Sequence, residues 1–205
     1  MIEIAPDHVI DNEQAPHLRE AFVSGQSVYD GGLLKVYRDQ IELPDGQTSC
    51  REYVKHPGAV MVMALLDDGR VVVERQYRYP MGRVMLEFVA GKLDPAEEPF
   101  VCAQRELKEE TGYRASQWAY LGAIHPLIAY STEVIHIFLA KGLQAGPPQR
   151  DVGEHMDVGA IHPSGLVQAV LSGQVTDGKT VAGVFWLERY LSGALTVSWL
   201  TPSQI

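Results

Sequence analysis

Three glutamates lie close together in the segment from Pro99 to Thr111, which has the residue pattern of a helix. At about 100° per residue, Glu106, Glu109 and Glu110 fall within an arc of about 100° and share one helix face. Carboxylates that converge on one patch repel one another, and a divalent cation relieves that repulsion. Mg²⁺ prefers carboxylate oxygens and completes its shell with water and substrate phosphates. This helix face therefore predicts a metal site for a diphosphate ligand.

The alternative is an ordinary solvated helix surface, which is the usual meaning of a lone Glu-Glu pair. The spacing around the three glutamates decides against it. From Gly91 to Tyr113 the chain fits G-x5-E-x7-R-E-U-x-E-E-x-G-U at every fixed position, where U is apolar or aromatic. A chance match in a chain of this length has a probability of roughly one in ten million. The pattern is the Nudix box, so the chain resembles the Nudix hydrolases, which cleave a diphosphate bond in nucleoside diphosphate derivatives.

The resemblance implies a metal-ligand set. Glu106 and Glu110, one turn apart, are expected to be the main ligands, with Glu109 as a third. The main-chain carbonyl of Ala90, just before the box, is a ligand in similar ADP-sugar hydrolases. Two or three Mg²⁺ ions are expected, and Mn²⁺ is a possible substitute.

Other residues of the box have supporting roles. Arg105 is counted with the catalytic set, and we expect it to hold the loop and the helix together through a charge-assisted hydrogen bond to Glu97 rather than to touch substrate. Gly91 and Gly112 are expected to serve turn geometry.

Segments outside the box extend the resemblance to the ADP-ribose and ADP-sugar pyrophosphatases. These are Val73–Pro80 and Leu86–Asp94. In that group the arginine that matches Arg78 contacts substrate, although an arginine that only caps a strand end is the alternative. The antiparallel segment that includes Arg51 and Glu52 is similar to the part that those enzymes use for dimerisation and for gripping the base.

Two further acidic residues match positions near the site of that group. Glu154 lies in a polar loop that resembles a mobile acidic segment whose glutamate acts as general base, and Glu109 is the alternative base. A surface glutamate that is only solvated is the other reading of Glu154. Glu133 matches a second acidic position and is expected to contact substrate.

The resemblance implies hydrolysis of ADP-ribose or a related ADP-sugar to AMP and a sugar phosphate. One departure bears on the substrate: ADP-ribose hydrolases commonly carry a Ser-Pro-Gly-like run where this chain has Leu127-Ile128-Ala129. Other substrates therefore stay open, namely GDP-mannose, NADH and a diadenosine polyphosphate. A nucleotide-sensing module without catalysis is the remaining alternative, although no metal carboxylate of the box is missing.

Charge and composition exclude several other classes. The 205 residues carry 17 Lys and Arg against 26 Asp and Glu, a net charge of −9, which disfavours binding to nucleic acid or to an anionic membrane. The longest apolar run, Ala59–Leu66, is too short to span a bilayer. The first residues have no basic region typical of a secretory signal. Cys50 and Cys102 form no disulfide framework, so a cytoplasmic protein is expected.

The predicted architecture is α+β: a Nudix fold with a mixed sheet between helices (α/β/α) and a small N-terminal antiparallel sheet. The predicted division is residues 1–55 for dimerisation and base grip and residues 56–205 for the hydrolase domain, in a homodimer. The predicted strands are Ser27–Tyr37, Gln47–Val54, Ala59–Leu66, Arg70–Gln76, Val84–Val89, Trp118–Ile124 and Glu133–Ala140. Asp67-Asp68-Gly69 predicts a hairpin between the third and fourth of them. The predicted helices are Pro99–Thr111, Pro163–Ser172 and Thr176–Ser192, and residues 142–156 are predicted to be a loop.

Overall fold

The computed structural model describes residues 15–200, which fall into two units. The first unit comprises the residues up to His56 together with Leu127–Thr132, and the second comprises Pro57–Pro126 and the residues from Glu133 onward. Residues 1–14 of the predicted N-terminal segment lie outside the described residues. None of the helices within residues 15–200 is long and apolar enough to cross a membrane.

The first unit is an antiparallel sheet of β1 (Ala21–Asp30), β2 (Lys35–Glu42) and β3 (Thr48–Val54), in that order. The predicted N-terminal sheet is therefore present. The single strand predicted over Ser27–Tyr37 is wrong, because Gly31 and Gly32 allow the chain to reverse there. The Gly31 N–H donates to the carbonyl of Leu34 at 2.9 Å, which closes the turn.

Residues 127–132 join the first unit at the end of β3. The N–H of Val54 donates to the carbonyl of Tyr130 at 2.8 Å, and the N–H of Thr132 donates to the carbonyl of Val54 at 3.0 Å. The departure at Leu127-Ile128-Ala129 therefore belongs to the first unit by its contacts, although in the chain it lies between the two stretches of the second unit.

Up to Leu200, where the description of the second unit ends, it contains seven strands and three α-helices. Their bounds are β4 Ala59–Ala64, β5 Val71–Arg78, β6 Arg83–Glu87, β7 Val89–Lys92, α1 Pro99–Thr111, β8 Arg114–Ile124, β9 Ile135–Gln144, β10 Met156–Ile161, α2 Pro163–Leu171 and α3 Gly178–Leu191. One sheet has the order β7-β4-β9-β8, with β4 and β9 parallel and the other pairs antiparallel. The second sheet is antiparallel, in the order β10-β5-β6.

Strand β4 shows how the layers are built, because every one of its residues is buried. Side chains alternate between the two faces of a strand. Val60, Val62 and Ala64 pack in a cluster with Ala103 and Leu107 of α1. The alternate side chains pack in a second cluster with residues of α2 and α3, and they are Met61, Met63 and Leu65. Helices therefore cover both faces of a mixed sheet, which confirms the predicted α/β/α fold.

Three strand predictions in this unit need correction. The turn at residues 67–69 is present, but β4 and β5 belong to different sheets and are joined only beside the turn, where the Leu66 N–H donates to the Arg70 carbonyl at 2.9 Å. The strand predicted over Val84–Val89 is two strands, β6 and β7, which also belong to different sheets. Strand β10 was not predicted, and its first residue, Met156, falls in the predicted loop.

Candidate active site

Helix α1 carries most of the predicted site and has the predicted bounds, Pro99–Thr111. Proline at the first helical position needs no intrahelical N–H partner, so it favours a start there. Gly112 ends the helix in the left-handed conformation at φ +78°. A side chain at Gly112 would also overlap the carbonyl of Gly146, so both the turn and the packing require glycine.

The glutamates of α1 differ in their surroundings. Glu106 and Glu110 are buried, with 9% and 6% of their surface exposed, whereas Glu109 is half-buried. The sequence indicated one carboxylate face beside an apolar face, but the structure buries two of the three carboxylates. Burial raises the pKa of Glu106, although the charge of Arg105 and its hydrogen bond oppose that effect.

Glu74 on β5 completes this group, and sequence reasoning did not identify it. It is buried, and its carboxyl group lies against that of Glu110. Burial, followed by the neighbouring carboxylate charges, raises the pKa of Glu110. Burial is also the main cause of the raised pKa of Glu74. Because Glu74 Oε1 and Glu110 Oε2 have no hydrogen-bond partner among residues 15–200, a shared proton or a cation is needed to hold them together.

The main chain at residues 90–91 approaches this group closely. Ala90 and Gly91 lie in β7, where Ala90 pairs with Met61 of β4. A side chain on Gly91 would overlap the carboxylate of Glu106. The expected turn role of Gly91 is therefore wrong, because glycine is needed there for close approach and not for a turn.

Arg105 connects the loop before α1 to two carboxylates of the box. Its Nε and Nη2 donate to the two oxygens of Glu97, both at 2.8 Å, as the sequence predicted. Its Nη1 donates to Glu106 Oε1 at 2.8 Å and to Glu109 Oε2 at 3.0 Å. Arg105 therefore orients the carboxylates and offsets part of their repulsion.

Arg78 lies at the end of β5 and is held by a second residue that sequence reasoning missed, Glu87 of β6. The Nε and Nη2 of Arg78 donate to the two oxygens of Glu87 at 2.6 and 2.8 Å. The side chain of Arg78 is 43% exposed, and the charge of Glu110 is one of the causes that raise the pKa of Arg78. Arg78 thus presents a partly exposed cation within electrostatic reach of the carboxylate group.

The loop that carries Glu154 is anchored to the C-terminal end of α1. The Gln149 N–H donates to the carbonyl of Glu109 at 2.8 Å, and Arg150 Nε donates to the carbonyl of Glu110 at 3.0 Å. The charge of Glu154 raises the pKa of both Glu106 and Glu110. The structure therefore brings Glu154 within electrostatic range of the buried glutamates.

The donor set fits a hard divalent cation. Within residues 15–200, no three His, Cys, Asp or Glu side chains form a ready-made metal site. The two buried carboxylate oxygens that lack a partner in this range, in Glu74 and Glu110, still favour a cation that brings its own water and ligand oxygens. Glu106 lies beside them and forms a hydrogen-bonded ion pair with Arg105.

A model of the NUDIX domain matches residues 55–181 of the chain. The chain belongs to the Nudix family. An ADP-ribose pyrophosphatase from Bacillus subtilis (strain 168) is 36% identical over 173 residues, which cover 83% of this chain and 94% of that protein. A methanol dehydrogenase activator from Bacillus methanolicus is 36% identical over 171 residues, which cover 82% of this chain and 92% of that protein. The crystal structure of an ADP compounds hydrolase superposes with a TM-score of 0.77 at 21% identity, covering 86% and 96% of the two chains, and this likeness concerns the fold.

As a Nudix hydrolase, the protein belongs to a family that generally uses divalent metal ions. The predicted residues Arg78, Ala90, Arg105 and Glu154 all belong to the second unit, as do the three glutamates of the box. Glu74 and Glu87 escaped sequence reasoning, although one signal was available. Glu74 follows three valines in β5 and Glu87 follows Leu86 at the end of β6, and a charge that is buried without a partner is costly.

The remaining predicted substrate contacts are Arg51, Glu52 and Glu133. Arg51 and Glu52 are in β3 of the first unit, where Arg51 Nε donates to Glu20 at 3.0 Å and Glu52 lies 3.8 Å from Arg38 Nε. Glu133 is half-buried in the second unit, just before β9. The contacts of these residues with substrate stay predictions.

Proposed function

We propose that this Nudix hydrolase cleaves the diphosphate bond of ADP-ribose or a related ADP-sugar, with Mg²⁺, to give AMP and a sugar phosphate. The observation that carries the proposal is the buried contact between Glu74 and Glu110, next to Glu106 and within electrostatic reach of Arg78. Carboxylates that need a cation and an arginine that can bind an anion suit a metal–diphosphate ligand. The similarity to a protein named ADP-ribose pyrophosphatase supports the choice of substrate.

The site residues have distinct proposed roles. Glu106, Glu110 and Glu109, with the carbonyl of Ala90, hold the metal ions, and Glu74 adds a buried carboxylate to that set. When bound, the metal neutralises charge on the phosphoryl oxygens and lowers the pKa of a bound water.

The remaining steps belong to the chain itself. Arg78 binds and orients the diphosphate through the exposed part of its guanidinium. Glu154 accepts the proton of the attacking water, because the Gln149 N–H and the side chain of Arg150 anchor its loop to the end of α1. Arg105 keeps Glu106 and Glu109 oriented between turnovers.

The first experiment is a substrate panel with Mg²⁺, with Mn²⁺ and with EDTA. Products are identified by chromatography for ADP-ribose, ADP-glucose, GDP-mannose, NADH and a diadenosine polyphosphate. Fastest turnover of ADP-ribose, with AMP as a product and no reaction in EDTA, is the expected result. Preference for another compound would change the substrate and keep the metal chemistry, whereas no turnover of any compound would favour the nucleotide-sensing alternative.

The proposal includes a homodimer formed through the N-terminal unit. Strand β1 is exposed at every residue and lies at the edge of its sheet. It carries large exposed apolar side chains, among them Phe22, Val23 and Tyr29. An exposed apolar edge strand favours pairing with another chain.

The test of the dimer is the mass of the wild type and of two variants in sedimentation equilibrium. Phe22→Asp is expected to be monomeric, whereas Gln26→Asp, which adds the same charge on the same strand, is expected to remain dimeric. A monomeric wild type would refute this part of the proposal. Arg51→Met and Glu52→Gln in the substrate panel test the proposed grip on the base, which predicts a higher KM for each.

A cytoplasmic location is also part of the proposal. Both Cys50 and Cys102 are free thiols, and free thiols are typical of a reducing compartment. Fractionation of cells that produce the protein at natural levels would test this location.

A further inference from the structure

Charged side chains alternate between Arg78 and the start of α3. Glu87 accepts hydrogen bonds from Arg78 through both of its oxygens, and Lys179 Nζ also donates to its Oε2. Lys179 Nζ donates as well to Asp177 Oδ2 at 2.9 Å. The order along this ladder is Arg78, Glu87, Lys179 and Asp177, so each charge lies beside an opposite one.

The ladder is buried on the side away from Arg78. The side chains of Glu87 and Lys179 are 5% and 13% exposed, compared with 43% for Arg78. Lys179 lies in the first turn of α3, and lysine side chains are mostly exposed, but here the side chain is largely buried. A buried lysine costs free energy unless it is paired, and Glu87 and Asp177 both pair with this one.

Asp177 fixes the far end of the ladder to the fold. It is the N-cap of α3, and its Oδ2 accepts from the Thr180 N–H at 3.0 Å and from the Thr180 hydroxyl at 2.6 Å. The Thr180 hydroxyl in turn accepts from the N–H of Phe88 at 3.1 Å. Phe88, the residue after Glu87, is thus hydrogen-bonded to the first turn of α3. These bonds restrict the movement of the ladder.

Two cations, Arg78 and Lys179, balance the negative charge of Glu87. The share that Lys179 takes decides how much of the charge of Arg78 is used for this purpose. Burial alone would raise the pKa of Glu87, but the Arg78 hydrogen bonds and the Lys179 charge hold it below its usual range. If Lys179 were replaced by a neutral residue, Arg78 alone would balance the negative charge of Glu87. The cation that Arg78 offers to an anion would then be largely cancelled.

We propose that Lys179 is a positioning residue for diphosphate binding. It supplies the second counter-charge of Glu87 and fixes that carboxylate, so that Arg78 keeps both its orientation and its attraction for a diphosphate. Nη1 of Arg78 makes no hydrogen bond to residues 15–200 and is the atom left for the ligand. The inference rests on the proposed function and adds a residue that does not touch the ligand.

Steady-state kinetics with the preferred substrate separate positioning from a merely structural role. Lys179→Met keeps an unbranched side chain that is one heavy atom shorter and removes its charge, and it is expected to raise KM about 10-fold or more with little change in kcat. Lys179→Arg is expected to restore most of the affinity. Arg83→Met is the matched control, because Arg83 donates to Thr176 at 2.8 Å beside the same helix start and is not a member of the ladder. Its KM is expected to equal that of the wild type.

A double-mutant cycle shows whether Lys179 acts through Arg78. If it does, Lys179→Met combined with Arg78→Met raises KM no further than Arg78→Met alone. Independent effects that multiply would overturn the proposal, as would a Lys179→Met variant with a wild-type KM.

Binding of inorganic pyrophosphate, measured by calorimetry in EDTA, gives a readout that depends on neither sugar nor turnover. Weaker binding by Lys179→Met and by Arg78→Met, to a similar degree of about 10-fold, is expected. Equal binding by the wild type and Lys179→Met, or no binding by the wild type, would overturn the inference. Absence of turnover across the substrate panel would instead count against the proposed function, so the two failures are distinguishable.

Discussion

The backbone of Gly91 lies so close to the carboxylate of Glu106 that a single methyl group at position 91 would occupy the same space. Glycine at the first position of the box therefore sets the distance between strand β7 and helix α1. The proposed function uses the adjacent carbonyl of Ala90 and the carboxylate of Glu106 as metal ligands.

Replacement of Gly91 by alanine is expected to displace Glu106 and lower kcat/KM at least about 10-fold, which corresponds to a loss of about 1.4 kcal/mol of transition-state stabilisation. Overpacking against the buried side chain of Glu106 also costs about 1–3 kcal/mol of folding stability. Gly159→Ala is the matched control, since Gly159 is also a strand glycine and a methyl group there would meet no atom of residues 15–200 within 4 Å. Wild-type activity in Gly91→Ala would show that Glu106 can move without loss.

Replacement of Glu110 by glutamine is expected to raise the stability of the metal-free protein and to lower its activity. The raised pKa values of Glu110 and Glu74 mean that the folded protein holds protons that the unfolded chain releases. Without metal, the contribution of these two carboxyl groups to folding stability is therefore fully present below their ordinary pKa of about 4.3. It is lost as pH rises through their raised pKa values in the folded protein. A glutamine amide can donate to Glu74, so the variant is expected to melt several degrees higher than the wild type in EDTA at about pH 8.

The same variant is expected to lose turnover at least 100-fold and to gain no thermal stability from Mg²⁺, because one metal carboxylate is gone. Thermal melts at about pH 5 and pH 8, each with EDTA or Mg²⁺, check both statements. A variant that melts lower than the wild type in EDTA at the higher pH would contradict the repulsion between the two carboxyl groups.

These residues also show how far the sequence alone could predict the site. Helix α1 was predictable because its information is local, from Pro99 at its start to Gly112 at its end. The partner of Glu87, Lys179, is separated from it by 92 positions in the chain, and no local pattern joins them. The division of the strand predicted over Val84–Val89 has the same origin, because the Phe88 N–H donates to Thr180 instead of to a neighbouring strand.

Replacement of Glu97 by glutamine is expected to lower folding stability at neutral pH. The stability of the variant is also expected to fall less than that of the wild type when the solution is made acidic. The hydrogen bonds of Arg105 lower the pKa of Glu97 to about 2, although burial opposes them. The folded-state pKa is depressed, so this stabilisation is present above the ordinary value of about 4.3 and is lost as pH falls toward about 2. We expect a loss of roughly 1–3 kcal/mol at neutral pH for this charge-assisted pair.

Urea unfolding at about pH 7 and at about pH 3.5 measures the effect of the Glu97 substitution. The difference in unfolding free energy between the wild type and Glu97→Gln should be larger at the higher pH. Glu98→Gln is the control, since Glu98 is the neighbouring residue and its side chain makes no cap hydrogen bond to α1. An equal difference at both pH values would show that the pair with Arg105 does not control the ionisation of Glu97.

Glutamine substitutions at Glu154 and at Glu109 are expected to identify the general base. One carboxylate oxygen of Glu109 already accepts a hydrogen bond from the cation of Arg105 at 3.0 Å. The carboxylate of Glu154 instead accepts from the Asp151 N–H at 3.1 Å, a neutral donor within its own loop. Glu109 is thus held by a cation and Glu154 by a neutral N–H group, so Glu154 is the proposed base.

Glu154→Gln should lower kcat about 100-fold with little change in KM, and it should remove the acidic limb of the pH–rate profile. Glu109→Gln should instead raise the Mg²⁺ concentration needed for half-maximal rate, and saturating metal should recover much of kcat, because its role is to hold the metal. The measurement is kcat as a function of pH and of Mg²⁺ for both variants. If Glu109→Gln lost the acidic limb while Glu154→Gln kept it, the two roles would have to be exchanged.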